Sequence, residues 1–375
     1  MEYVEIKKVG KVVTGNTPSK KENKYYNQNY IEFVKPSNFI SGKITNIKKG
    51  EEYLSYEGMK KGRTANKGDV LVTCIGNIGN VGIVEKKVCF NQQINAIKCN
   101  ENYINNKYLA NVIRYISPLL THMANKAVVP ILNKTQLENV KIPIFPKETQ
   151  EEIANILEII QKNIDKRREQ ILLADKLIKS RFIEMFGDPI KNDKGWEESY
   201  LKNLSVIIMG QSPPSNSYNN IGKGLPFYQG NIDFGDKYPK LNKFCSEPLK
   251  IAKKKSILMS VRAPVGEINI TNWDCCIGRG LCSLELAESL NIEYLYNYLK
   301  NIIVTVKSKS RGSTFKSINK LEIENIRVLL PPLSLQNEFS QFVEKTDKLK
   351  FEAEESLKEM ENLYESLMQK FFKQN

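Results

Sequence analysis

The sequence predicts an α+β chain in which two mixed, mainly-β domains of one fold are each followed by a long helix. Three observations carry this. Residues Asn133 to Phe186 recur without a gap as Asn319 to Phe372, at an offset of 186. Each copy ends in a stretch whose apolar residues repeat every 3.5 positions over five heptads, the coiled-coil signature. Ahead of each copy lies a series of short strand-like runs broken by Gly and Asn turns. A period this long is no solenoid repeat, which would run roughly 20 to 50 residues. It is a duplicated domain-plus-helix, and such an object suits a two-fold or bipartite partner.

Taken in order, the first globular segment offers strand-like runs at Tyr30–Val34, Asp69–Cys74, Val81–Val84, Val88–Phe90 and Asn95–Ile97. Turns are marked by Gly15-Asn16, Gly42, Gly68-Asp69 and Gly76-Asn77. A helical patch from Asn106 to Met123 then places Leu109, Val112, Ile113, Ile116 and Leu120 at helical spacing. The second copy repeats the order, with strands around Pro226–Tyr228, Ser256–Val261, Glu267–Ile270 and Leu281–Leu284. Its helical patch, Ile292 to Val306, carries Leu295, Tyr298, Leu299 and Ile302.

The overlay of the halves extends upstream with small gaps. Asp69–Thr73 lies over Ser256–Ser260, Gly79 over Gly266 and Cys89 over Cys276, all at offset 187. Further upstream the offset drifts, to 193 for Val34–Asn38 over Phe227–Asn231 and 195 for Thr14–Pro18 over Met209–Pro213. Scaffold positions are shared while the residues between them differ in number and kind, as two domains reading two different things would require.

Pro146 and Pro332 close the globular halves, and Glu148-Thr149 and Ser334 supply polar starters for the helices. The predicted organisation is therefore 1–146 and 187–331 as globular domains, with 147–186 and 332–375 as helices. The first helix places Ile153, Leu157, Ile160, Ile164, Arg167, Ile171, Ala174, Ile178, Arg181 and Met185 on one seam. The second places Phe339, Val343, Thr346, Lys350, Ala353, Leu357, Met360, Tyr364, Leu367 and Phe371 on the same ten positions. Arg167 and Arg181 of one seam match Ala353 and Leu367 of the other, so each helix covers the other's weak spots. If the helices pack antiparallel, a pseudo-two-fold axis crosses their middle, and forty residues at ~1.5 Å each make a ruler of about 60 Å. Gly187 stands where a helix C′ glycine should.

Composition narrows the function. The formal charge of +14 is unevenly spread. Residues 1–146 hold 22 Lys+Arg against 11 Asp+Glu, and 187–331 hold 20 against 14, while 147–186 hold 8 against 8 and 332–375 hold 6 against 9. All the excess positive charge thus sits on the globular halves. Phosphate backbones attract such surfaces and reward each neutralising contact by counterion release. A merely lysine-rich proteome would also charge the helices, and these are neutral. Seven cysteines in an odd set without CxxC spacing, and no apolar opening segment, point to a reduced, cytoplasmic protein. No run approaches the roughly 18 apolar residues that a membrane span needs.

At this point the pattern resembles the specificity (S) subunits of type I restriction-modification systems. The features that carry it are the paired ends Asn133…Leu137-Glu-Asn-Val-Lys-Ile-Pro-Ile-Phe-Pro146 and Asn319…Ile323-Glu-Asn-Ile-Arg-Val-Leu-Leu-Pro-Pro332, each followed by Gln150 or Gln336 and a long heptad. The resemblance spans nearly the whole chain. It implies two target-recognition domains joined by two conserved helices in an antiparallel coiled coil, each domain reading one half of a bipartite DNA site. It implies two docked methyltransferase (M) subunits that methylate adenine N6 with S-adenosylmethionine, and restriction (R) subunits that add ATP- and Mg-dependent cleavage. The chain itself would bind no cofactor and catalyse nothing. The sequence holds no Asn/Asp-Pro-Pro-Tyr/Phe methylation motif and no GxxxxGK phosphate loop.

Base reading needs side chains with paired donors and acceptors on loops that reach the major groove. The divergent segments nominate Lys35, Ser37 and Asn38 in the first half, with Gln229, Asn231 and Asp233 in the second. Loops ahead of the repeat add Lys126, and Arg311, Ser313, Thr314 and Lys316. Lys60, Lys61, Lys253, Lys254 and Lys255 suit phosphate. Four features are expected to be structural. Gly76-Asn-Ile-Gly-Asn-Val-Gly82 looks like a phosphate loop, but its counterpart Ala263–Asn269 keeps only the middle glycine, as a turn would. His122, the only histidine, leaves no repeated triad. Cys275 and Cys276 should point to opposite faces of a strand, and the terminal Phe371-Phe372 should pack in the helix bundle. The rival readings are a stand-alone DNA methyltransferase or nuclease with a recognition tail, and a coiled-coil scaffold that binds no DNA.

Overall fold

The central strand of each globular part is buried on both faces, which makes it an unbroken apolar run rather than an alternating one. Val70-Leu-Val-Thr73 sends Val70 and Val72 into one core and Leu71 into another, because successive strand residues point to opposite faces. Ile257-Leu-Met-Ser260 does the same, with Ile257 and Met259 on one side and Leu258 on the other. The computed structural model in which this is seen describes residues 2–124, 129–309 and 317–373. The chain divides into two compact units, Met1–Lys166 with Ser356–Asn375, and Arg167–Glu355. Both long helices, Lys147–Phe186 and Leu333–Phe372, run through both units.

In the first unit a five-stranded sheet has the order Gly10–Thr14, Ile94–Cys99, Val70–Thr73, Val81–Val84, Ile44–Ile47, with only the last pair parallel. A four-stranded sheet beside it centres on the parallel pair Ile31–Val34 and Val88–Phe90. The second unit matches this with the antiparallel order Ser205–Met209, Leu281–Leu286, Ile257–Ser260, Ile268–Ile270, and with the parallel pair Leu225–Tyr228 and Cys275–Ile277. The predicted α+β class and internal repeat are therefore present.

Each unit also pairs one half of each long helix. In the first, Ile153, Leu157 and Ile164 share a core with Tyr364, Met368 and Phe372, and with Tyr108, Leu109 and Ile113 of the helix Asn106–Tyr115. In the second, Ile178, Phe182 and Phe186 share a core with Phe339 and Val343, and with Tyr294 and Tyr298 of the helix Ile292–Lys309. The direction of pairing is visible in charge contacts. Asp175 meets Lys350 at 2.8 Å and Arg181 meets Glu338 at 3.1 Å, so numbers rise on one helix as they fall on the other. The coiled coil is antiparallel.

Several expectations shift. The helices begin at Lys147 and Leu333, so Glu148, Thr149 and Ser334 lie in the first turn rather than at the cap. The first helical patch is two helices, Asn106–Tyr115 and Ser117–Met123, because Pro118 restarts the chain in the first turn of the second. Two short pairings went unread, Glu2–Glu5 with Lys141–Ile144 and Glu197–Tyr200 with Arg327–Leu330. Their charged residues hide the strand pattern.

The upstream overlay also needs correction. Phe33 pairs with Cys89 and Phe227 with Cys276, and the two cysteines match at 187, so Phe33 matches Phe227 at 194. The placement of Val34 over Phe227 was one residue out. Another residue of drift follows at once, because the turns closed by Phe39 N–H to Pro36 and by Phe234 N–H to Asn231 match at 195. Ser37 thus matches Ile232, and Asn38 matches Asp233.

Candidate nucleic-acid interface

The turn that follows the parallel strand in each unit is a short 3-10 helix, Pro36–Asn38 in the first and Asn231–Asp233 in the second. Proline at the start of the first favours this, since its fixed φ suits a tight turn. Asn38 Oδ1 accepts the backbone N–H of Lys35 at 2.8 Å and so closes its own turn. Lys35 Nζ lies 2.6 Å from Glu52, and Ser37 Oγ hydrogen-bonds Glu51. The ammonium groups of Lys35 and Lys20 hold the Glu52 carboxyl below its usual range, against the opposing effect of burial. Lys35, Ser37 and Asn38 therefore sit together, each already engaged with its own chain.

The second half is arranged differently. Gln229 is exposed and Asn231 is half-buried. Asp233 is buried: its carboxylate accepts from Asn242 Nδ2 at 3.0 Å and its carbonyl from the Lys240 N–H at 2.7 Å. Asp233 is thus a brace for the loop behind the turn. Between them Ile232 is 87% exposed at the tip, a residue with no polar group that would nominate it for base reading. Lys126, Arg311, Ser313, Thr314 and Lys316 lie outside the described residues.

Of the lysines nominated for phosphate, Lys60 lies 3.2 Å from Glu57 and over the Tyr56 ring at 4.3 Å. Lys253 meets Asp274 at 3.1 Å, and Lys254 donates its backbone N–H to the same carboxylate at 2.8 Å. Exposed pairs like these are worth little to stability, so exchanging them for phosphate costs little. On the helix seams, Ile153, Leu157, Ile164, Ile178, Phe339, Val343 and Tyr364 are buried. Ile160, Ile171, Leu357, Met360 and Leu367 are half-buried.

With two such units in one chain, comparison with known proteins becomes informative. A family model described as the type I restriction modification DNA specificity domain matches residues 1–173 and again 193–362. The chain belongs to that family. It is 33% identical over 306 residues to the "Putative type I restriction enzyme MjaX specificity subunit" of Methanocaldococcus jannaschii, covering 75% of this chain and 72% of that protein. The type I restriction enzyme EcoBI specificity subunit of Escherichia coli is 21% identical over 88% of this chain and 78% of its own length. Among solved structures, a chain from work on complex assembly and conformational transition of the type I R-M system is 27% identical. It covers 98% of this chain and 96% of its own, with a TM-score of 0.64. The S subunit from M. genitalium, 16% identical with a TM-score of 0.67, shares the fold.

A specificity subunit is a recognition subunit and not an enzyme, and the features that imitate catalytic sites here are structural. Gly76 and Gly79 take positive φ in the hairpin between Val70–Thr73 and Val81–Val84, where Gly79 N–H donates to the Thr73 carbonyl at 2.9 Å. A side chain on Gly79 would also collide with Ser117, at 2.8 Å. Cys275 faces Tyr228 and Ile277, while Cys276 faces Phe227 and Cys245 on the opposite side. Burial pushes both thiols up, to about 12 and about 11, far from the reactive range. His122 is exposed on the helix Ser117–Met123. Phe372 packs edge-on against Tyr108, with ring centres 5.6 Å apart. No helix among the described residues is long and apolar enough to cross a membrane.

Proposed function

We propose that this specificity subunit reads a bipartite DNA site, with 1–146 and 187–331 as recognition domains for one half-site each. The helices of 147–186 and 332–375 set the length of the unread spacer and dock two adenine-N6 methyltransferase subunits. Those partners carry S-adenosylmethionine, and a restriction subunit with ATP and Mg completes the complex in a restricting system. The working place is the cytoplasm, where the DNA is.

The observation that carries this reading is the contrast between frame and tip. Buried framework contacts recur at a constant offset of 186: Tyr108 and Tyr294 donate to the carbonyls of Pro143 and Leu329, at 2.9 and 2.8 Å. The turns ahead of that frame present Ser37 in one unit and Ile232 in the other. A shared frame with different tips is what two readers of different sequences need. The relatives named as specificity subunits, and the solved type I R-M assembly, support the choice of partners.

Methylation-sensitive genome sequencing with this locus intact and deleted tests the proposal. Loss of one bipartite methyl-adenine motif on deletion is expected. An unchanged methylome, or loss of an undivided motif, would overturn it.

A further inference from the structure

We infer that Lys237 and Lys350 are positioning residues that fix the pose of the second recognition domain on the helices, and through that pose the spacer the subunit accepts. The inference rests on the bipartite reading above. Lys237 lies at the edge of the domain's sheet, where its carbonyl accepts the N–H of Ile270 at 2.9 Å. Its ammonium reaches Glu293 at 2.7 Å and Asp347, on the second long helix, at 2.5 Å. The neighbouring Asp236 runs the other way: its carboxylate takes the ammonium of Lys350, which also holds Asp175 of the first long helix at 2.8 Å.

Two adjacent loop residues of opposite sign therefore meet two residues of opposite sign one turn apart on a helix. One ion pair lets a domain pivot, whereas two crossed pairs define an orientation and oppose any slide along the helix, which would set like charges against each other. The Lys237–Glu293 pair is sheltered on both sides, at 14% and 10% exposed, whereas the buried Lys350 ammonium reaches out to carboxylates that stay largely in water. Removing Lys237 leaves the Glu293 carboxylate with little water to replace it, and removing either carboxylate partner of Lys350 weakens the hold on a buried ammonium. The first unit makes a simpler tie from the same sheet edge. Lys43, just before the strand Ile44–Ile47, reaches Asp165 of the first long helix at 2.5 Å. Both domains thus send a lysine from this edge to the long helix that follows them in sequence.

The test uses the full chain with its methyltransferase subunits in cells, and reads spacer lengths by methylation-sensitive sequencing. Wild type is expected to modify one spacer length. Lys237→Met and Lys350→Met should raise modification at spacers one base pair shorter or longer by about tenfold, with both half-sites unchanged. Lys237→Arg should restore the single spacer. A subunit that was merely destabilised would lower modification at every site equally, without widening the set. Asp236→Asn, an isosteric change at an exposed carboxylate, keeps the test open where a lysine variant does not accumulate. A single unchanged spacer in these variants, or an altered base in a half-site, would overturn the inference. A wild-type motif that is not bipartite would instead overturn the reading beneath it.

Discussion

Gln150 Oε1 accepts the backbone N–H of Asn105 at 2.8 Å, tying the first turn of the long helix to the cap of the helix Asn106–Tyr115. Its Nε2 donates to the carbonyls of Tyr103, at 3.1 Å, and Phe145, at 2.9 Å. Gln336 repeats the arrangement with Asn291 N–H at 2.8 Å and the Pro331 carbonyl at 2.9 Å. Both side chains are 1% exposed, so every bond lost leaves a buried group unpaired. Gln150→Leu should therefore cost about 3 kcal/mol, since each stranded group costs ~1–3 kcal/mol. Urea denaturation measures the total, and hydrogen exchange should show the loss around Asn105 while Asn291 keeps its protection. A cost below about 1 kcal/mol would show that the junction can rearrange.

This junction also explains which parts of the molecule could be read in advance. Gln150 and Gln336 are visible as a repeat because a buried amide that both accepts from and donates to backbone is hard to replace, and the cap of each helix is matched the same way. Asn133 and Asn319 each close a capping box, with Gln136 and Glu322. The constant register in fact reaches back to Asn105 and Asn291, since the Asn111 and Asn297 amides bond the carbonyls of Lys107 and Glu293 at 2.9 Å in both units. Those residues are ordinary letters, and only the partners reveal the match. The two 3-10 turns after the parallel strands fall within the segments that the sequence overlay marks as divergent, but their residue-by-residue match does not follow from it. A shift of two residues decides whether Asn231 or Asp233 answers Asn38, one supplied by the strand register and one by the hydrogen bond that closes each turn. Ile232 was missed because an exposed isoleucine carries no polar signal.

The cluster around Lys237 has a pH signature in which two carboxyls move in opposite directions. Burial pushes Glu293 above its usual value of 4.5, and the attraction of Lys237 does not fully offset this. Lys237 itself is raised, because two carboxylates outweigh the burial that would lower it. Between pH 4.5 and the raised folded value, the native state holds more protons at Glu293 than the unfolded chain does, so stability falls as pH rises through that window. Glu293→Gln should therefore gain on wild type as pH rises from 4.5, then hold a constant difference. Asp236 behaves oppositely, its carboxyl being held below 3.8 chiefly by the Lys350 ammonium. Its contribution is present above that pH and is lost below it, so Asp236→Asn and wild type should converge in strong acid. Denaturant midpoints across the range check both signs, and parallel curves would refute them.

Around the turn Asn231–Asp233, exposure separates a candidate base contact from a brace. Gln229 is exposed, whereas Asp233 is buried and holds Asn242. Gln229→Ala should relax discrimination at one base pair of the second half-site by ~1–3 kcal/mol with unchanged folding stability. Asp233→Ala should instead lower stability by ~1–2 kcal/mol, leaving Asn242 without its partner. Modification of sites mutated one base at a time, together with a thermal melt, distinguishes the two. Uniform weakening on all sequences by Gln229→Ala would reassign that residue to backbone contact.

The unit boundaries fall at Lys166 in the first long helix and Glu355 in the second, and the antiparallel contacts of Asp175 with Lys350 and Arg181 with Glu338 fix the seam nearby. One heptad inserted after Lys166 and another after Glu355 would keep the apolar positions of both helices in phase, because the seam repeats every seven residues. Seven residues add about 10 Å of helix at ~1.5 Å each, or about three base pairs at ~3.4 Å per pair. The modified motif should keep both half-sites and gain about three unread base pairs between them. An insertion of four residues in one helix alone should do worse, since it throws the seam out of phase with its partner. Sequencing the methylome of cells carrying the doubly lengthened subunit reads the outcome directly. An unchanged spacer would mean that something other than the helices sets the distance, and an altered half-site would mean that the recognition domains depend on the helices for more than their separation.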